Sequence, residues 1–241
     1  MRKLHISIIS LSVLLLVSCK NEVEKPKVTY DASSTTSKVI AKVDSTQVAI
    51  ADLPIQMEGT DYLIHPVGDV RVYERGVKAR YGSSSVNDIS FTISNIGEYE
   101  ITGYLQNLKF QKIDSDSIRP LTDKAVLIQT ATYLKTIADK THNHVMVYTM
   151  VDMDTNKDGK LDTSDIKALY LSDISGERFV KVSEDFQELI DWNIIESKNR
   201  LYFRTIEDTN KNGQFDKNDV LHYNYINLGV KDWKVISYKP I

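Results

Sequence analysis

From about residue 47 onward the apolar residues come in short runs rich in Val, Ile, Tyr, Phe and Trp, separated by clusters of Gly, Asn, Asp and Ser. Branched and aromatic side chains suit a pleated, half-buried surface, and the polar clusters suit turns, so the pattern predicts strands. The runs fall at residues 62–66, 70–73, 89–93, 99–105, 126–134, 145–151, 166–171, 179–182, 194–195, 201–206, 220–228 and 233–238. One segment has helical character, SEDFQELIDW at 183–192, and its length allows only a turn or two. The expectation is a mostly β domain over residues 47–241.

Two parts of that pattern repeat. HVMVYTMVD (144–152) leads into DTNKDGKLDTSD (154–165), and RLYFRTIED (200–208) leads into DTNKNGQFDKND (208–219). DIKALYLSDISG and DVLHYNYINLG follow, then RFVKV and WKVIS. A unit of strand, acidic loop, strand, turn and strand thus occurs twice, Asp154 and Asp208 standing 54 positions apart. An earlier stretch, 97–123, shares the later part of the unit without the acidic loop, Leu105-Gln106-Asn107-Leu108 aligning with Leu171-Ser172-Asp173-Ile174. Repeats of this length with three or four strands predict propeller blades, about four in the available chain. The alternative is a β-sandwich with two long hairpin insertions. YLQNLKFQKIDSDSIRPLTD (104–123) resembles the blades of TolB-like propellers.

The acidic loops carry the clearest chemistry. With Asp154 as position 1, oxygen-bearing side chains fall at 1, 3, 5, 9 and 12 (Asp154, Asn156, Asp158, Asp162, Asp165), with Gly159 at 6 and the Lys160 carbonyl at 7. The second loop places Asp208, Asn210, Asn212, Asp216 and Asp219 in the same frame, around Gly213 and the Gln214 carbonyl. Calcium takes six to eight hard oxygen ligands in flexible geometry, and this spacing is similar to that of EF-hand calcium loops. Aspartate at position 12 resembles dockerin loops, and the strand-like flanks resemble the calcium hairpins of integrin-type propeller blades. The resemblance implies two calcium sites. The second, with three carboxylates (Asp208, Asp216, Asp219) against four (Asp154, Asp158, Asp162, Asp165), is expected to bind more weakly.

The chain's opening adds a location. Arg2 and Lys3 precede an apolar stretch from Ile6 to Val17, shorter than the roughly 20 residues a membrane span needs. That layout is a secretory signal. Leu16-Val17-Ser18-Cys19 resembles the lipobox of bacterial lipoproteins, with Cys19 the single cysteine of the chain. The resemblance implies a signal peptide over 1–18, lipidation of Cys19, a flexible polar tether over 19–46, and anchoring in the bacterial cell envelope. Lys20 after the cysteine favours the outer membrane. The formal charge is −3, and removal of Arg2 and Lys3 leaves −5, which argues against a nucleic-acid partner.

Little else points to a reaction. His142 and His144 share one face of an extended segment and offer half a zinc site at most. Thirteen tyrosines could supply a glycan-stacking surface but also suit a β core. Tyr81-Gly82-Ser83-Ser84-Ser85 is not a nucleophile elbow. The sequence therefore predicts a calcium-binding, membrane-anchored envelope lipoprotein that works as a binding or scaffold module on a protein or glycan, not an enzyme. The alternative is an envelope hydrolase acting on glycan or peptide.

Overall fold

The computed structural model describes residues 26–30, 48–75 and 86–241. The signal segment, Cys19, most of the tether and the serine-rich 81–85 loop lie outside the described residues. In chain order the first strands are β1 (Ala49–Ala51), β2 (Ile55–Gln56), β3 (Tyr62–Asp69), β4 (Arg71–Arg75), β5 (Val86–Ser90) and β6 (Ser94–Ile96). Then come β7 (Glu100–Leu105), β8 (Asn107–Lys112), β9 (Ile118–Pro120), β10 (Leu127–Tyr133), helix α1 (Lys135–Thr141) and β11 (Val145–Val151). The chain ends with β12 (Lys167–Asp173), β13 (Val180–Lys181), β14 (Gln187–Ile195), β15 (Arg200–Glu207), β16 (Val220–Asn227) and β17 (Val235–Ser237). Among the described residues the fold is all-β, and no sheet closes into a barrel.

Sheet one has the order β1-β3-β8-β9, with β2 also on β3; sheet two runs β13-β12-β11-β10-β7-β6; sheet three runs β14-β15-β16-β17; β4 and β5 form a separate ribbon. Sheet two is the middle layer. Met146, Tyr148 and Met150 of β11 lie in an apolar cluster with Ile64, Leu108 and Phe110 of sheet one. Val145 and Val147 of the same strand lie in a second cluster with Leu189, Leu201, Phe203 and Ile226 of sheet three. Successive strand residues point to opposite faces. A strand apolar at both parities is therefore one covered on both sides, and VMVYTMV is such a strand.

The doubled unit is present as two four-stranded meanders, β10 to β13 and β14 to β17. Each has an irregularity in its first strand, between Ile128 and Thr130 and between Leu189 and Asp191. The acidic loop joins the second and third strands in both, closing hairpins at Val151↔Lys167 and Glu207↔Val220. The third and fourth strands pair through Leu171↔Val180 and through Ile226↔Val235. The earlier 97–123 stretch is not a third copy. Of its three strands, β7 goes to sheet two beside β10, while β8 and β9 pair in sheet one, β8 beside β3.

The expected helix at 183–192 is also corrected, because most of it is β14. Glu and Gln there favour a helix locally, but pairing with β15 and burial of Glu188 and Leu189 override that preference. The helix that does form, α1, buries Ile137 and Ala138 and ends at His142, whose φ of 59° sets a left-handed cap. Among the described residues no helix is long and apolar enough to cross a membrane.

Candidate functional site

Each acidic loop is organised by its own side chains, and the two share most of their bonds. At position 1, Asp154 accepts from the amides of Asp158 (3.2 Å) and Gly159 (2.9 Å), and Asp208 accepts from Asn212 (3.2 Å) and Gly213 (2.6 Å). At position 3, Asn156 and Asn210 accept from the amide two residues on, both at 2.9 Å. Position 5 (Asp158, Asn212) accepts from the amides of Lys160 and Gln214, and position 9 (Asp162, Asp216) from those of Ser164 and Asn218. At position 12, Asp165 and Asp219 reach back to the amides of Thr155 (2.7 Å) and Thr209 (3.2 Å), and each also accepts from position 9. Position 4 is left-handed in both loops, at Lys157 (φ 60°) and Lys211 (φ 57°), and so is the glycine at position 6.

The five oxygen-bearing side chains of each loop thus bond to backbone amides of that same loop. Lys160 and Gln214 contribute backbone amides. The donor set is oxygen only, which suits a hard cation. An ionised carboxylate has about four acceptor positions, so an oxygen holding one amide retains capacity for an ion. Among the described residues no three His, Cys, Asp or Glu side chains converge as a ready metal-binding group. The carboxylates are held by backbone amides and not drawn onto a single point. Asp165 is fully buried. Burial, with the nearby Asp154 charge, pushes its carboxyl above the usual range, against the pull of three backbone amides.

What lies between the loops is not legible in residue spacing. Residues 26–30 fall inside the expected tether yet are held against the body. The amides of Lys27 (2.7 Å) and Val28 (3.3 Å) donate to the Gly213 carbonyl, and the Thr29 amide donates to the Thr155 carbonyl (2.8 Å). Thr29 Oγ1 donates to the Asn156 carbonyl (3.0 Å), and Thr155 Oγ1 donates to the Lys27 carbonyl (2.8 Å). Val28 is buried. Lys27 Nζ pairs with the buried Glu188 carboxylate at 3.0 Å, which also accepts the Lys167 amide. Tyr30 lies beside Asp208, and burial together with that charge pushes its phenol up to about 12. A cleft of about 800 Å³ opens beside this segment, lined by Lys27, Ser164, Lys167, Glu188, Phe215 and Asp216 among others.

The other sequence candidates separate. The His144 ring stacks on Tyr133 and shares a 2.7 Å hydrogen bond with the Tyr133 hydroxyl, while His142 caps α1. His65 bonds to Gln111, and His222 to Glu207. Tyr202, Tyr223, Tyr225 and Tyr238 contact one another on sheet three, where Arg200 lies 4.3 Å over the Tyr225 ring. The alternation that buries Leu201 and Phe203 places Tyr202 on the opposite, outer face.

The two loop glycines differ in one respect that gives a prediction. A Cβ on Gly159 meets nothing within 4 Å, whereas one on Gly213 collides with the Val28 carbonyl and Pro26. Both positions are left-handed, which costs an alanine about 1–2 kcal/mol. Gly159→Ala is expected to lose about that much stability, and Gly213→Ala at least about 1 kcal/mol more, because residues 26–28 must move. Chemical denaturation of both variants checks the difference; equal losses would mean that the segment makes no net contribution.

Compared with known proteins, the chain matches no family model and no curated sequence.

Proposed function

We propose that the protein is a calcium-binding lipoprotein of the bacterial cell envelope, anchored through Cys19 and working as a rigid binding or scaffold module. The observation that carries this reading is the shared hydrogen-bond frame of two loops set 54 residues apart in equivalent hairpins. Such a frame holds several carboxylates near one another, and a bound cation offsets their repulsion. In this reading Asp154, Asp158, Asp162 and Asp165, with Asn156 and the Lys160 carbonyl, hold one ion. Asp208, Asp216 and Asp219, with Asn210, Asn212 and the Gln214 carbonyl, hold a second. The ions supply no reaction. They tie the strand ends of two hairpins, and the two meanders are read as successive blades of a propeller-like array. The tyrosine face of sheet three is the surface offered to a protein or glycan partner.

Calorimetric titration of the full-length protein with calcium tests the sites directly. Two binding events are expected, the tighter abolished by Asp158→Ala and the weaker by Asp216→Ala, with affinities in the range of about 10⁻⁴–10⁻³ M that serves extracellular modules. An absence of calcium heat at millimolar concentration sinks the reading.

A further inference from the structure

We propose that residues 26–30 are a clasp: an intramolecular peptide ligand for the groove between the acidic loops, seated when the loops hold calcium and released when they do not. This rests on the calcium reading of the loops. Its support is the way the clasp is wired to them.

The clasp does not touch the loops at random atoms. Its amides meet the carbonyls of two residues, Thr155 and Gly213, whose own amides are held by ligand-position carboxylates. Asp165 Oδ1 holds the Thr155 amide at 2.7 Å, and the Thr155 carbonyl takes the Thr29 amide at 2.8 Å. Asp208 Oδ2 holds the Gly213 amide at 2.6 Å, and the Gly213 carbonyl takes the amides of Lys27 and Val28. In each loop a single residue separates the carboxylate from the clasp. The Thr155 hydroxyl tightens the link, donating to the Lys27 carbonyl and lying 3.3 Å from Asp165 Oδ1. A rearrangement of the carboxylates around an ion therefore shifts the two residues whose carbonyls hold the clasp.

The groove is also selective. The backbone amides at 27, 28 and 29 are all taken, the first two by one carbonyl at a bend, Val28 needs an apolar seat (2% exposed), Lys27 is matched by Glu188, and Tyr30 packs against Phe186 with Lys211 5.9 Å over its ring. Pro26 has no amide to satisfy and abuts Gly213, where only a glycine leaves room. The chain's own Pro-Lys-Val-Thr-Tyr meets every one of these demands. Because linkage is reciprocal, a seated clasp also raises the calcium affinity of the loops.

The consequence is a calcium-set stand-off. Seven positions of chain from Cys19 to Pro26 can reach at most about 25 Å, whereas the thirty from Cys19 to Ala49 can reach about 100 Å. With Cys19 in the membrane, a seated clasp keeps the loops near the bilayer, and a released one lets the domain move away.

Hydrogen exchange of the full-length protein in detergent, in 10 mM calcium and in EGTA, reads the clasp through its three amides. The amides of 27–29 are expected to exchange at least tenfold more slowly in calcium, with Val147 and Tyr148 protected in both conditions. Val28→Asp, which leaves every proposed ligand in place, is expected to erase the difference while still binding calcium, more weakly. Equal exchange at 27–29 in a parent protein that binds calcium overturns the clasp and leaves the calcium sites standing. Loss of protection at Val147 and Tyr148 in EGTA overturns it as well, since the whole domain would then be unfolding. Protection at 27–29 that disappears on dilution overturns the intramolecular assignment in favour of a second copy. No calcium binding by the parent removes the underlying reading, and titration reports that separately.

Discussion

In 10 mM calcium the protein is expected to melt on the order of 10 °C higher than in EGTA, and the gain should vanish in the Asp154→Ala/Asp208→Ala double variant. A site with an affinity near 10⁻⁴ M gains about 2.7 kcal/mol at a hundredfold excess of free ion. The weaker second loop adds about half of that, and each kcal/mol raises the melting point of a domain this size by about 2–4 °C. Asp154 and Asp208 are the informative positions because each also holds the amides at positions 5 and 6, so their removal unties the turn that presents the other ligands. The single variants should each retain part of the shift. A parent protein with no shift, or a double variant with the full shift, would contradict two structural calcium sites. Scanning calorimetry in both buffers makes the measurement.

Much of this site was legible because the loop frame is local. Side chains at 1, 3, 5, 9 and 12 bond to amides within the same twelve residues, so spacing alone carries the information, and the flanking strands 145–151 and 201–206 could be read from their branched and aromatic residues. Three features were not legible, each because a distant partner decides it. Residues 187–192 read as part of a helix until β15 pairs with them. β8 (Asn107–Lys112) has too few apolar residues to stand out, and only its neighbours β3 and β9 make NLKFQK a strand. Residues 26–30 are polar and read as tether; what seats them is the pair of loop carbonyls at Thr155 and Gly213, more than a hundred residues away. The order of the layers was likewise hidden, although the two-sided apolar pattern of VMVYTMV was a usable sign that sheet two lies inside.

That two-sided burial leads to the other large effect. Tyr148 of β11 is fully buried, meets Phe179 edge-on at 5.7 Å between ring centres, and shares a 2.6 Å hydrogen bond with Ser172 Oγ. Tyr148→Ala is expected to cost about 3–5 kcal/mol, since the layers on both sides of sheet two prevent the space from closing. That is a large share of the 5–15 kcal/mol typical of a folded domain. Tyr148→Phe keeps the ring and loses one hydrogen bond. Ser172 Oγ retains its bond to the Asp173 carbonyl, so the cost should be only about 1 kcal/mol. Tyr104→Ala, at a position 60% exposed, should stay within about 0.5 kcal/mol. Urea denaturation in constant calcium ranks the three. A Tyr148→Ala cost below about 1 kcal/mol would mean that sheet two is not clamped between its neighbours. The expected order would instead place the rigidity of the first hairpin, and so the presentation of the first acidic loop, in the packing of this layer.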